Sequence, residues 1–213
     1  TLPVITICSL KGGTGKSTIA LNLASVLSTR RRKVLVIDAD PQGTVSEWAD
    51  TSQQDEPTVL VSPRADIHQQ IDKARTAFPW TLIDTPPAST EETRSAIMAA
   101  DRLILPVTPG VPDVRSTAKF LELYQRALQY KPDLEARLLI NRVDRRTKLG
   151  RTIRLYLERK FVNLKIFDTE ISQLTAFGAA YIAGQTIDNY QPKNKGTMEL
   201  NRLAKEVLSW QDK

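Results

Sequence analysis

The stretch Lys11-Gly12-Gly13-Thr14-Gly15-Lys16-Ser17-Thr18 decides how the chain folds. It follows Val4-Ile5-Thr6-Ile7-Cys8, a short apolar run of the kind that forms a strand buried on both faces. It precedes a helical pattern from Ser17 to about Ser28, with Ile19, Leu23, Val26 and Leu27 on one face. Strand, glycine-rich turn and helix in that order are the setting of a phosphate-binding loop. Glycine lets successive backbone N–H groups turn inward around an anion, and the helix start aims its positive end at the same point. Lys16 is placed to reach β- and γ-phosphates, and the Ser17 hydroxyl to meet Mg2+. The common form of the loop has Gly where this chain has Leu10; here a second lysine, Lys11, opens the glycine run.

Further short apolar runs recur along the chain: Lys33–Asp38, Val59–Val61, Trp80–Asp84, Arg102–Val107, Ala136–Asn141 and Leu164–Phe167. Between them lie helical patterns at Ala65–Ala77, Thr90–Ala99, Val114–Tyr130, Thr147–Lys160 and Thr197–Trp210, the second led by a Ser89/Glu92 capping-box pattern. Asp50–Pro57 reads as a polar loop. Strands alternating with helices predict an α/β fold, a doubly wound, mostly parallel sheet with helices on both faces. With no linker or repeat, residues 1–213 are expected to form one domain.

Two acidic motifs sit at predicted strand ends, where open parallel sheets hold their ligands. One is Asp38-Ala39-Asp40-Pro41-Gln42-Gly43 and the other Asp84-Thr85-Pro86-Pro87. A carboxylate there can hold Mg2+ through water or orient an attacking water. Asp38 could pair with Lys16 or Lys11 or contact Mg2+; Asp40 ranks above it because it immediately precedes Pro41-Gln42.

With Lys11–Thr18, Asp38–Gly43, Asp84–Pro87 and the later Asn141-Arg142-Val143-Asp144, the chain resembles the ParA family of deviant-Walker P-loop ATPases, in the group that also contains MinD. The resemblance implies ATP sandwiched between two protomers, with hydrolysis coupled to partition or positioning of DNA or another cargo. It implies that Lys11, Lys16 and Asp40 are catalytic, with Lys11 delivered across the dimer to the partner's phosphates and Asp40 positioning water. It further implies nucleotide binding by Lys11, Gly12, Gly13, Thr14, Gly15, Lys16, Ser17, Thr18, Asn141 and Arg142, and Mg2+ binding by Ser17, Asp40 and Asp84. Asn141 would read adenine, its other reading being a turn residue after a strand.

Composition narrows the choice. One cysteine, Cys8, and one histidine, His68, exclude an intramolecular disulfide framework and a cysteine-held metal cluster, and so the cluster-bearing iron-protein relatives. No apolar run reaches the roughly 18 residues of a membrane helix. Thr1-Leu2-Pro3-Val4 lacks the marks of a secretory signal, although a short leader before it stays open. With about ten residues before the loop, no N-terminal helix-turn-helix domain is expected in this chain. The terminal helix has a mixed polar face, so it is expected to pack on the sheet rather than on a membrane.

The net charge of +6 concentrates in Arg142–Lys160, which holds eight basic and two acidic residues. Arg145, Arg146, Lys148, Arg151 and Arg154 are therefore candidates for non-specific DNA contact through phosphates, against the simpler reading of a solvated basic helix. Arg30-Arg31-Arg32-Lys33 reads as structural, at a helix C-terminus. Taken with these features, the resemblance implies a cytoplasmic, nucleoid-associated ATPase with ATP and Mg2+ as ligands. It would form a homodimer on ATP and be stimulated by a centromere-binding or cargo-adaptor protein. DNA segregation is the first reading of its task, and nucleoid-tracked positioning of a protein cargo the alternative; a MinD-like membrane cycle ranks below both.

Overall fold

The computed structural model describes residues 3–29 and 32–210. Seven strands form one sheet in the order β3-β2-β4-β1-β5-β6-β7, and every pairing is parallel. The strands are β1 (Val4–Ile7), β2 (Val34–Asp38), β3 (Thr58–Val61), β4 (Trp80–Asp84), β5 (Arg102–Val107), β6 (Glu135–Ile140) and β7 (Lys165–Ile166). The helices are α1 (Lys16–Leu27), α2 (Thr44–Thr51), α3 (Ile67–Ala77), α4 (Glu91–Ala99), α5 (Val111–Leu128), α6 (Lys148–Lys160), α7 (Thr175–Ile182), α8 (Ile187–Tyr190) and α9 (Lys195–Ser209). The central strands β1, β2 and β4 are buried along their whole length, which is why they read as continuous apolar runs.

Three core clusters flank the sheet. The largest joins α1, α9 and α7 to β1, β2 and β4 through residues such as Ile5, Leu23, Val36, Leu82, Leu203 and Val207. A second lies under α5 and α6, and a third under α3 and α4. Register then sets the site. Asp38 at the end of β2 stands opposite Asp84 at the end of β4, and Asp84 stands opposite Ile7 at the end of β1.

The structure departs from the sequence expectation in three places. Residues Thr44–Thr51 form α2, which takes the first two residues of the expected Asp50–Pro57 loop. Two further helices, α7 and α8, occupy a stretch with no amphipathic pattern. The cap of α4 is Thr90 rather than Ser89: its hydroxyl accepts from Thr93 N at 3.3 Å, and the Glu92 carboxylate is also bonded to Thr90. Of the Arg30–Lys33 run, Arg30 and Arg31 lie outside the described residues; Arg32 stacks 5.9 Å from the Trp80 ring centroid.

The terminal helix packs on the sheet, as expected. Leu200, Leu203, Ala204 and Val207 are buried, and Trp210 after them is clamped. Its indole N–H donates to Glu135 at 2.8 Å, Phe167 meets it edge-on at 5.4 Å, and Arg137 lies 4.3 Å from its centroid. Replacing Trp210 by Ala should cost about 3–5 kcal/mol in urea unfolding. A loss below about 1 kcal/mol would show that α9 is not held by this clamp.

Candidate nucleotide site

The loop after β1 is shaped for an anion. Gly13 and Gly15 have φ of 78° and 90°, in the left-handed region. Gly15 is doubly constrained, because a Cβ there would lie 2.4 Å from Asn141 Nδ2. It caps α1 with no side-chain hydrogen bond, and the first turn of α1 has no acidic residue. The free N–H groups of that turn are therefore left for an external anion. The Thr14 hydroxyl is buried beside them without a partner.

The two loop lysines point to different places. Lys16 is buried, which lowers its pKa, with Asp84 and then Asp40 opposing that shift. Lys11 keeps 41% of its side chain exposed and makes an ion pair with Asp113, in the first turn of α5.

The carboxylates also divide. Asp38 is spent within its own loop: Oδ1 accepts from Asp40 N at 3.1 Å, and Oδ2 from Ser46 N at 2.8 Å and Ser46 Oγ at 2.6 Å. It thereby fixes the entry to α2 and is not a partner of Lys16 or Lys11. Asp40 accepts from Gln42 N at 2.9 Å and faces the same centre. Asp84 is fully buried, and neither oxygen accepts a hydrogen bond of good geometry. Burial pushes its carboxyl up to about 7; the nearby Ser17 hydroxyl and Lys16 ammonium only partly offset this, and Asp38 and Asp40 add to it. Behind it, Ala88 is held at φ 104°, a conformation that costs a non-glycine residue about 1–3 kcal/mol.

Such an orphaned carboxylate beside a hydroxyl fits Mg2+. Among the described residues no three His, Cys, Asp or Glu side chains cluster as a metal cage. Mg2+ does not need one, since it keeps several waters and takes one or two carboxylates plus substrate phosphates. Ser17 and Asp84 would hold it, with Asp40 beside them.

Asn141 is buried and donates through Nδ2 to the Thr14 carbonyl at 2.7 Å, so it ties the end of β6 to the phosphate loop. Arg142, at φ 55°, is exposed. With Thr18, Asn22 and residues 171–175 they line a hollow of about 780 Å3 beside the loop. The sequence reading missed α7, which roofs it. Tyr181 donates from its hydroxyl to the Thr44 carbonyl at 2.9 Å, with Glu47 Oε2 at 3.1 Å, and so holds α7 against α2. The only sequence signal was the uncharged run Thr175–Gly184.

The basic candidates do not form one free face. Arg154 turns inward, donating to Glu170 at 2.8 Å and to the Phe167 and Asp168 carbonyls at 2.8 and 3.0 Å. Arg145 also pairs with Glu170, and Arg146 pairs with Asp144 at 2.8 Å. Arg151 donates to the Arg146 carbonyl at 2.8 Å while remaining exposed, as does Lys148. The spacing of Arg151 and Arg154 thus misled, because Arg154 serves the packing of α6.

Asp84 gives a pH test on the metal-free chain. Its folded pKa, about 7, lies above the ordinary 3.8, so the folded state binds the proton more tightly. That term weakens the fold as pH rises from about 4 to 7. Asp84→Asn should therefore match the natural chain near pH 4 and exceed it at pH 8, by up to about 4 kcal/mol. A difference that does not change with pH in urea melts would contradict the burial of a charged Asp84.

Comparison with known proteins gives the family and relatives of the same fold. The family model described as the CobQ/CobB/MinD/ParA nucleotide binding domain matches residues 5–187. A protein of Gloeobacter kilaueensis named "Maintenance of carboxysome distribution protein A" is 32% identical across 96% of this chain and 93% of its own. The "Chromosome-partitioning ATPase Soj" of Thermus thermophilus is 28% identical across 96% of this chain and 95% of its own. The Pyrococcus horikoshii septum site-determining protein MinD, solved with Mg-ADP, superposes with a TM-score of 0.76 at 20% identity, covering 97% of this chain and 96% of its own. The chain belongs to the CobQ/CobB/MinD/ParA nucleotide-binding family.

Proposed function

We propose that the chain is a Mg2+-dependent positioning ATPase that pairs on ATP, holds DNA without reading its sequence, and hydrolyses ATP when a partner protein engages it. The observation that carries this reading is the split between its two loop lysines. Lys16 is buried beside Asp84 and Asp40, while Lys11 reaches outward from the same loop. A single site needs only one of them; the other, paired with Asp113 in the single chain, would serve a second copy once released.

The loop amides, with Lys16, would bind and orient the phosphates. Mg2+ would supply charge neutralisation on the β- and γ-phosphate oxygens. Asp40, fixed by the Gln42 amide, would orient the attacking water, and Lys11 from the other protomer would add a positive charge where the transferring phosphoryl group becomes more negative. Asn141 and Arg142 border the hollow into which the base would fit.

For DNA, the supporting feature extends beyond the α6 region. Arg145, Lys195, Arg202 and Lys205 border one groove with Glu170, Glu199 and Glu206. The α9 acids there are engaged: Glu199 accepts from Ser172 N at 2.8 Å and Ser172 Oγ at 2.7 Å, and Glu206 from Asp168 N and Thr169 N, both at 2.8 Å. Lys195, Arg202 and Lys205 stay exposed. With Lys148 and Arg151 they offer charge to phosphates. A DNA-bound ATPase can position a protein assembly or segregate DNA. The 32% identical relative named for carboxysome distribution favours a protein cargo. The match to a chromosome-partitioning ATPase supports DNA segregation as the second reading. Among the described residues no helix is long and apolar enough to cross a membrane.

Asp40→Ala should keep Mg-ATP binding and lose hydrolysis by at least about tenfold, read by phosphate release with the partner present. Unchanged turnover would remove Asp40 from the mechanism. DNA retention with ATP in low salt should fall in Lys148→Ala/Arg151→Ala and in Arg202→Ala/Lys205→Ala, with the salt slope reduced by about one per lost phosphate contact. Retention unaltered in both would place the DNA face elsewhere.

A further inference from the structure

We propose that Asp113 is the resting partner of Lys11, a positioning residue that holds this lysine within its own protomer until a second protomer's phosphates displace it. The inference rests on the in-trans role of Lys11 put forward above and adds a step before it.

The pair is asymmetric. Asp113 is 4% exposed and lies in the first turn of α5, whereas Lys11 is 41% exposed at the mouth of the phosphate loop. Both border a hollow of about 590 Å3 with Gly12, Gly13, Thr108, Arg142 and Asp144. Asp113 is the third residue of α5 after its cap, Gly110, so the positive end of that helix also stabilises its charge. Withdrawing Lys11 leaves the buried carboxylate to the helix end alone, so release carries a cost on the Asp113 side as well. On the Lys11 side, the ammonium has one direct ion-pair partner among the described residues. A lysine bonded to Asp113 is not free to reach phosphates outside its own protomer. Breaking the pair is thus a cost that the nucleotide of a second protomer must offset, which favours the single chain when nucleotide is absent.

The other acid on the same hollow does not compete for the lysine. Asp144 is held by Arg146 through two side-chain hydrogen bonds, at 2.9 and 2.8 Å. Lys16 does not substitute for Lys11 either, since it is buried against Asp84 and Asp40.

The test uses the full chain and the variants Asp113→Asn and Asp113→Glu. Without nucleotide, reductive methylation followed by mass spectrometry reads the reactivity of Lys11 against exposed Lys148 in the same molecule. Asp113→Asn should raise that ratio several-fold, and Asp113→Glu, which keeps the carboxylate, should leave it near the natural value. With Mg2+ and a slowly hydrolysed ATP analogue, sedimentation should show Asp113→Asn half-dimeric at about a tenfold lower protein concentration than the natural chain. A purely structural role would lower the melting temperature and leave the Lys11 ratio unmoved, which would overturn the proposal. So would a natural chain that dimerises while Asp113→Asn does so no more readily. Absence of dimers in every chain, with Lys11 nonetheless released by Asp113→Asn, would instead overturn the in-trans reading on which the resting role depends.

Discussion

The organising constraint is a carboxylate, Asp84, buried at the centre of the sheet without a hydrogen-bond partner of its own. A lone charge in that position is expensive, and its carboxyl is accordingly pushed up to about 7. The Ser17 hydroxyl and Lys16 offset part of that cost, whereas Asp38 and Asp40 add to it. Parallel register brings the end of β1, with its phosphate loop, to one side of Asp84 and the end of β2 to the other. Lys16 lies buried close enough to feel both Asp84 and Asp40. An ordinary protein interior would replace such an acid by an apolar residue; a site awaiting a divalent cation and a polyphosphate needs it.

Around this centre the remaining groups are assigned by what is already satisfied. Asp38 is occupied in fixing the turn into α2, and Asn141 in tying β6 to the phosphate loop. Tyr181 fastens α7 to α2, so the loop carrying Asp40 is braced from two sides. Lys11 alone among the loop's charged groups faces away from Asp84, and α5 offers it Asp113. The result is an inner set of groups complete within one chain and one outer lysine whose proposed work lies beyond it.

Much of this was legible in the sequence because it is local or periodic. The order strand, glycine run and helix located the phosphate loop without reference to the rest of the fold, and continuous apolar runs marked the buried strands. Acidic residues at two of those strand ends pointed to the site's centre. What was hidden depends on contacts between distant segments. Helix α2, Thr-Val-Ser-Glu-Trp-Ala-Asp-Thr, has weak helical propensity and is held by burial of Val45 and Trp48 and by the Asp38 cap. Helix α7 is apolar on every side, so it has no period to detect. The destination of Lys11 is set by a residue 102 positions away. Arg154 resembled a surface cation by spacing, yet Glu170, 16 positions on, draws it inward.

The central claim is that the buried Asp84 centre is completed by Mg2+ and a nucleoside triphosphate together. Thermal unfolding at pH 8 tests it most directly, with Mg2+ alone, ATP alone and both. The account predicts little change with either alone and a rise with both that grows with ligand concentration as mass action requires. Equal melting temperatures in all conditions, or a full rise with ATP and chelator, would contradict it.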